Sequence, residues 1–285
     1  MAYADLTDVK MYYESDGSGE PLILIPGLGA TTEDWDPAFD VAAEKFRLIR
    51  PDLRGMGLSK AKREAYSLHH YSADLLEFMD HLKLERAHVL GISLGGIIAQ
   101  RFAIDHPNRI QHLVLISCAD RFGTYLQEMA RMVGNMVMRF PHRLFARTMH
   151  MLGTGPAYVE AHPELLAQRE AESTSVGKRS VIRQLKALMV SDPHPEDHDR
   201  ITCPTLVIAG SEDVLVPQRF QKQMADRISN SRFVCLEDVG HNPLTECPQR
   251  VLPMIDHFLS TGRLQEEPAP SSKKADEEES SKPAA

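Results

Sequence analysis

The sequence predicts an α/β fold in which a mostly parallel central sheet is covered by helices on both faces. Short apolar runs alternate with helical patterns along most of the 285 residues, an alternation typical of parallel sheets. The run at 110–116 is almost continuously apolar, as expected of a strand buried on both faces. A third observation is a segment of helical pattern without a clear strand, which predicts a helical lid over one edge of the sheet.

The individual elements follow from hydrophobic spacing and from the residues that bound each run. Strands are predicted, in chain order, at 9–14, 22–25, 46–50, 87–91, 110–116, 205–209 and 232–236. Helices of the core are predicted at 68–82, 96–103, 218–228 and 251–259. Ser67 can cap the first of these helices, and the turn at 16–19 separates the first two strands.

These elements divide the chain into four regions. Residues 1–120 and 196–262 are expected to form the two halves of the sheet domain, and 121–195 the helical lid between them. Residues 263–285 are expected to form a disordered acidic tail. From 265 onward the tail is built mainly from Glu, Lys, Ser, Pro and Ala, with one Gln and one Asp, and it has no aromatic residue and no aliphatic residue larger than Ala, so it cannot bury a core.

Composition excludes several classes of function. The net charge is −8 and no basic stripe is present, which argues against a nucleic-acid partner. No apolar run is long enough to span a membrane, and the N-terminus does not have the pattern of a secretory signal. The four cysteines show neither metal-ligand spacing nor a disulfide framework. We therefore expect a cytoplasmic protein with no metal or organic cofactor.

The run Gly91–Gly95, of sequence GISLG, carries the strongest functional signal. A predicted strand precedes it and a predicted helix follows it. That order is typical of a nucleophile elbow, a tight turn that holds a serine hydroxyl out at the edge of the sheet. Glycine is needed on either side because the packed turn leaves no room for a Cβ. The sequence therefore predicts Ser93 as a nucleophile.

A serine hydroxyl needs a base to take its proton and an acid to orient that base. Asp213 follows the sixth predicted strand and His241 follows the seventh, so both lie at the same sheet edge as Ser93. The order Ser, acid, His is the one expected on this kind of fold. Asp120 follows the fifth strand and is an alternative acid, although the loop of Asp213 directly precedes the histidine strand.

The oxyanion formed by serine attack needs N–H donors that are already in place. One candidate is the backbone N–H of Leu94, at the start of the elbow helix. The other is the backbone N–H of Leu28, in the loop Pro26–Gly29 that follows the second predicted strand. Glycines in this loop let the backbone approach a substrate closely.

With these motifs together, the chain resembles the α/β-hydrolase superfamily, in the esterase and enol-lactonase branch. The resemblance extends over about residues 20 to 260. The matching motifs are the loop at 26–29, the segment 52–59, the elbow at Ser93, Asp213, and the run 240–243 followed by Glu246 and Pro248. Pro26 stands where the family usually has a histidine. The family's haloalkane dehalogenases and epoxide hydrolases attack with an aspartate at the elbow, so Ser93 argues against both. The segment 52–59 is expected to be structural.

The predicted lid suggests two kinds of substrate pocket. Its methionines favour an apolar pocket, because methionine is flexible and adapts to varied apolar groups; they are Met129, Met132, Met136, Met138, Met149, Met151 and Met189. Four arginines, at 131, 139, 143 and 147, offer the alternative of an anionic substrate, but a solvated helix face is the simpler interpretation and the one we favour.

We therefore expect a serine hydrolase that cleaves a small-molecule carboxylic ester or lactone through an acyl-enzyme. An alternative within the same resemblance is a carbon–carbon bond hydrolase acting on a diketone from aromatic degradation. An alternative of another class is a ligand-binding protein that uses a hydrolase fold as a scaffold.

Overall fold

The computed structural model of the protein describes residues 2–35, 42–62, 66–172, 177–190 and 195–264. Nearly all of the predicted sheet domain and most of the predicted lid lie within these ranges. The predicted tail begins at 263, and all but its first two residues lie outside the described residues. Its disorder therefore stays a prediction.

A single mixed sheet runs through the described chain. Its strands are β1 (Ala2–Asp5), β2 (Val9–Asp16), β3 (Glu20–Ile25), β4 (Phe46–Pro51), β5 (Lys60–Ala61), β6 (Ala87–Ile92), β7 (Ile110–Ile116), β8 (Thr205–Gly210) and β9 (Ser231–Leu236). Their order across the sheet is β1-β2-β4-β3-β6-β7-β8-β9, with β5 paired to β2. All neighbours from β4 to β9 in this order are parallel, whereas β1, β2 and β5 form antiparallel pairs.

The helices pack on both faces of this sheet. They are α1 (Leu68–His81), α2 (Leu94–Asp105), α3 (Thr124–Arg139), α4 (His142–Gly153), α5 (Pro156–Ala161), α6 (Glu164–Glu172), α7 (Lys178–Val190), α8 (Gln218–Ala225), α9 (Pro243–Glu246) and α10 (Pro248–Thr261). One face is covered by α1, α2 and α8, and the other by α9 and α10. The predicted mostly parallel sheet with helices on both faces is thereby confirmed.

Alternating side chains of the central strands supply the two halves of the core. Along β3, Ile23 and Ile25 belong to the cluster under α1 and α2, whereas Leu22 and Leu24 belong to the cluster under α10. All four are at most 1% exposed. Burying one such side chain fully contributes about 2 kcal/mol, so the continuous apolar runs seen in the sequence are what a sheet covered on both faces requires.

The predicted elements agree with the observed ones to within a few residues, and the differences have local causes. The strand β1 has four residues and β5 has two, too few for a clear hydrophobic period. The turn at 16–19 joins strands that are not neighbours in the sheet, because β4 lies between β2 and β3. The predicted cap is present, since Ser67 Oγ accepts a hydrogen bond from the His70 N–H.

Five helices, α3 to α7, lie between β7 and β8, and we call this segment the insertion. Its described residues contain no strand, as the sequence predicted. A small core of its own holds α3 against α7 and includes Ala130, Val133, Val137, Val181 and Leu185. Whether it opens and closes as a lid stays a prediction. Within the described chain, we find no helix with the length and apolar character needed to cross a bilayer.

Two stacked histidines lie on neighbouring strands. The ring centroids of His88 on β6 and His112 on β7 are 5.0 Å apart and the ring planes are nearly parallel, and His88 Nε2 lies 2.9 Å from Glu20 Oε2. Burial lowers the pKa of His88. Burial, followed by the positive charge that His88 would carry, lowers the pKa of His112. The folded protein therefore favours two neutral imidazoles.

This pair should make the fold sensitive to mild acid. Below about pH 6.5 the unfolded chain binds protons that the folded pair resists, so the free energy of unfolding should decrease as pH falls from 7.5 to 5.5. The variant His88→Gln should show a smaller decrease in melting temperature over this range than the wild type. The matched variant His81→Gln, at an exposed histidine of α1, should keep the wild-type pH dependence. An unchanged slope in His88→Gln would contradict the assignment.

Candidate active site

Ser93 lies at a strained turn between β6 and α2. Its backbone has φ 54° and ψ −117°, outside the regions that most residues adopt, which is expected where surrounding packing holds a functional residue in place. A Cβ on Gly91 would stand 2.3 Å from the Gly95 carbonyl oxygen, and a Cβ on Gly95 would stand 2.1 Å from the Ile25 carbonyl oxygen. Both glycines of the predicted elbow are therefore required by close approach of the backbone.

His241 and Asp213 are hydrogen-bonded at this edge of the sheet. His241 Nδ1 lies 2.8 Å from Asp213 Oδ2, and the two residues are 7% and 3% exposed. Asp213 follows β8, and its Oδ1 accepts the backbone N–H groups of Leu215 and Val216 at 3.0 and 2.8 Å. The carboxylate is therefore fixed in orientation, as a group that must hold an imidazole requires.

A second side chain holds the same carboxylate. Gln221 on α8 is fully buried, and its Nε2 donates to Asp213 Oδ2 at 3.1 Å and to the Val216 carbonyl at 2.8 Å. The alternative acid, Asp120, is also buried but forms an ion pair with Arg227. The structure therefore brings Asp213 and not Asp120 to His241.

The loop after β3 borders the serine. Leu28 and Leu94, which carry the two predicted oxyanion donors, line the same cavity as Ser93 and His241. Gly29 has φ +75°, and its N–H donates to Gln184 Oε1 of α7 at 2.9 Å. Both predicted donors therefore border the space in front of the serine, although their roles remain a proposal.

The segment 52–59 supports this loop from behind, in keeping with its expected structural role. Asp52 is buried, and its Oδ1 and Oδ2 accept the backbone N–H groups of Thr32 and Leu58 at 2.8 and 2.7 Å. Burial raises the pKa of the Asp52 carboxyl. Arg54 forms a buried two-pronged ion pair with Asp74 of α1, at 2.7 and 2.6 Å.

The loop of His241 is joined to the insertion by a buried carboxylate. Glu246 Oε2 accepts the N–H groups of Gly155 and Gly240, both at 2.8 Å, and its Oε1 accepts that of Asn242 at 3.2 Å. The His241 N–H in turn donates to the Gly153 carbonyl at 3.0 Å. The backbone around the histidine is therefore held by contacts from both the sheet domain and the insertion.

These groups open into one cavity of about 360 Å³, a size suited to a small molecule. Much of its wall is apolar and comes from the insertion, including Leu126, Met129, Val133, Phe145, Met149 and Leu188. Two of the seven predicted methionines therefore line it, and Met132, Met138, Met151 and Met189 are exposed instead.

The basic groups at the cavity are not the four arginines noted in the sequence. His150 and Arg169 contribute to the lining. Arg131 forms an ion pair with Glu128, and Arg147 Nη1 lies 3.2 Å from Glu170 Oε2. The arginine cluster thus belongs to exposed helix surface, which was the simpler of its two interpretations.

A cysteine lies beside the serine without competing as a nucleophile. Cys118 is buried and lines the cavity, and burial raises the pKa of its thiol far above the ordinary value. The thiol therefore stays protonated, and a protonated thiol is a poor nucleophile. Among the described residues, no group of three or more His, Cys, Asp or Glu side chains could hold a metal ion.

A family model described as the alpha/beta hydrolase fold matches residues 20–248. The chain belongs to the α/β hydrolase family. The family predicted from the motifs is therefore confirmed.

Individual relatives of this hydrolase carry several names. A proposed carbamate hydrolase, RutD, from Azorhizobium caulinodans is 25% identical over 243 residues, which cover 85% of this chain and 91% of that protein. A poly(3-hydroxyalkanoate) depolymerase from Ectopseudomonas oleovorans is 30% identical over 247 residues, 85% of each chain. The solved enol-lactonase from Burkholderia xenovorans superposes with a TM-score of 0.82 at 25% identity, covering 91% of this chain and 100% of that one. Together these likenesses support hydrolase activity on small molecules.

Sequence reasoning missed three residues of the site. Gln184 and Gln221 have no local motif, because each acts on a residue that only the folded chain brings near. Glu246 was noticed as part of a family pattern, but its three hydrogen bonds to backbone N–H groups were not foreseen. The local hint of a buried polar role is that Gln184 lies one helical turn from Val181 and Leu188, which mark the apolar face of this helix.

The two carboxylates near the site allow a direct comparison. Asp213→Asn should reduce the rate of labelling by a fluorophosphonate about 10³-fold or more, because a carboxylate must orient the imidazole and stabilise it when charged. Asp120→Asn should be labelled at a rate within about tenfold of the wild-type rate. Its melting temperature should be lower, because the substitution breaks the ion pair with Arg227. A folded Asp120→Asn variant that labels as slowly as Asp213→Asn would contradict this assignment.

Proposed function

We propose that the protein is a serine hydrolase that cleaves a small-molecule carboxylic ester or lactone through an acyl-enzyme. The observation that carries this proposal is that His241, hydrogen-bonded to Asp213, lines the same cavity as Ser93 at its strained elbow. A serine on such a turn with a carboxylate-oriented histidine is the arrangement that acyl transfer needs. The four free cysteines are consistent with the cytoplasmic location expected from the sequence.

In the first half-reaction, Ser93 Oγ attacks the carbonyl carbon while His241 Nε2 takes the hydroxyl proton. The carbonyl oxygen becomes an oxyanion that accepts hydrogen bonds from the backbone N–H groups of Leu28 and Leu94. Losing one such donor commonly costs about 3 kcal/mol of transition-state stabilisation. His241 then gives the proton to the leaving alcohol or enol, and an acyl-serine remains.

In the second half-reaction, His241 takes a proton from water, and the resulting hydroxide attacks the acyl-serine. The oxyanion forms again in the same place and collapses to release the acid, with the proton returned to Ser93. Asp213 stays ionised throughout and stabilises the imidazolium at each step. In a lactone both products remain one molecule, so the acyl-enzyme also carries the leaving hydroxyl.

The names of relatives bear on the bond that is cleaved. The depolymerase relative acts, by its name, on a polyester, and the structural neighbour is an enol-lactonase. Both names favour an ester or lactone. The RutD relatives favour a carbamate as the second candidate, since a carbamate carbonyl can be attacked by the same groups.

The variant Ser93→Ala should abolish covalent labelling by a fluorophosphonate and lower ester turnover by several orders of magnitude, because the three residues act as a unit. Mass spectrometry of the labelled wild type should place the adduct on Ser93. Ser117→Ala is a useful control, since this buried serine also lines the cavity. Its adduct should remain on Ser93. Labelling of Ser93→Ala at another serine, with turnover retained, would overturn the proposal.

The apolar wall predicts a dependence on acyl length. Each methylene buried in the cavity contributes up to about 0.8 kcal/mol, so kcat/KM for p-nitrophenyl esters should rise up to about fourfold per methylene. It should fall once the acyl chain exceeds the 360 Å³ available. The series should be measured at low and high salt, beside a carboxylated lactone and an aryl carbamate.

Three outcomes separate the candidates. A length trend that salt does not change supports apolar burial. Faster turnover of the lactone, with strong inhibition by salt and no trend among neutral esters, would instead indicate recognition of an anionic substrate by exposed cations. Preference for the carbamate over every ester would move the assignment to the second candidate.

A further inference from the structure

A buried glutamine of the insertion contacts the loop that carries the proposed oxyanion donor. Gln184 on α7 is fully buried, and its Oε1 accepts the Gly29 N–H at 2.9 Å across 155 residues of sequence. Leu28, the proposed donor, directly precedes Gly29. No other side chain of the described residues is seen to bond to the backbone N–H groups of this loop, residues 26–29.

We propose that Gln184 is a positioning residue, which holds the loop so that the Leu28 N–H points into the oxyanion site. This inference rests on the proposed function, in which that N–H stabilises the oxyanion. Gln184 does not itself touch the reacting atoms. It acts through the Gly29 peptide, which is the next peptide plane along the chain from the donor.

The loop needs such a contact because its own sequence leaves it free to move. Two of its four residues are glycines, and Gly29 lies at φ +75°, where only glycine is unstrained. Peptide planes are rigid, so fixing the direction of the Gly29 N–H limits rotation about Leu28 and with it the direction of the Leu28 N–H. Oxyanion catalysis depends on donors that are oriented before the reaction begins.

Gln184 is a polar residue on an otherwise apolar face of α7, where Val181, Leu185 and Leu188 are all buried. Its side chain interacts with Tyr71 of α1 and, through Oε1, with the Gly29 N–H. A buried amide costs free energy unless it is hydrogen-bonded. The bond to Gly29 offsets that cost, and it makes one half of the oxyanion site depend on where α7 of the insertion lies.

Four variants test the proposal. Gln184→Leu keeps the volume and removes the acceptor, and Gln184→Asn keeps an amide that is too short to reach Gly29. Gln184→Glu keeps an oxygen in place. Val181→Ala, three residues earlier, disturbs the packing of α7 at a residue that does not line the cavity and leaves the Gln184–Gly29 hydrogen bond in place. Each is measured for fluorophosphonate labelling rate, for kcat and KM with the best ester, and for inhibition by a trifluoromethyl ketone, whose adduct places an oxyanion in the site.

Gln184→Leu and Gln184→Asn should lower the labelling rate and kcat about tenfold to a hundredfold, with KM within about threefold of the wild type. Their inhibition constants for the ketone should rise by a factor similar to the loss in kcat/KM. Gln184→Glu should stay within about fivefold of the wild type. Val181→Ala should have a lower melting temperature than the wild type and a labelling rate within about twofold of the wild-type rate.

Two results would overturn the proposal. One is a labelling rate and a kcat within twofold of the wild-type values in both Gln184→Leu and Gln184→Asn. The other is a labelling rate that falls as much in Gln184→Glu and Val181→Ala as in Gln184→Leu, which would indicate that only the packing of α7 matters. If Gln184→Leu does not fold, Gln184→Asn provides the same comparison. Failure of the proposed function is distinguishable, because the wild type itself would then neither label nor turn over an ester.

Discussion

The first turn of α2 lies against the carboxyl end of β3 so closely that only a hydrogen fits between them at Gly95. A Cβ there would stand 2.1 Å from the Ile25 carbonyl oxygen and 2.6 Å from that of Pro26. This contact brings the start of the elbow helix and the loop after β3 together, which sets Leu94 beside Leu28. It also holds Ser93 in its strained conformation, since α2 cannot withdraw without leaving a void in the core. The proposed nucleophile and both proposed oxyanion donors therefore depend on one close approach.

The other half of the site depends on a junction between the sheet domain and the insertion. The His241 N–H donates to Gly153 at the end of α4, and Glu246 accepts from Gly155 and from the backbone on either side of the histidine. The insertion therefore supplies more than an apolar wall. It holds the histidine loop at one end and, through Gln184, the loop after β3 at the other.

The sequence predicted the sheet and most of its strands, and it singled out the proposed triad of Ser93, Asp213 and His241, because each of these has a local signal. Apolar runs mark strands buried on both faces, and the elbow is a five-residue pattern between a strand and a helix. No local sequence feature distinguishes Asp213 from Asp120 as the acid. The distinction depends on which carboxylate the fold places beside His241 and which beside Arg227. Gln184 and Gln221 were missed for the same reason, since each partner is known only once the chain has folded. The stacked histidine pair of β6 and β7 likewise needs the strand register, which joins residues 24 positions apart.

The partners of Glu246 are all main-chain N–H groups, and this has a consequence for how such an enzyme diversifies. Every residue except proline has that N–H, so the junction does not require particular side chains in the insertion. Its steric demands fall on glycines: a Cβ would lie 2.9 Å from Asn242 Nδ2 at Gly153, 3.0 Å from Glu246 Oε2 at Gly155, and 2.5 Å from the Gly155 nitrogen at Gly240. Helices α3 to α7 can thus exchange their cavity-lining side chains over evolutionary time while the histidine keeps its support. The range of substrates can in this way change without moving the histidine, whereas the loop after β3 still depends on Gln184 of the insertion.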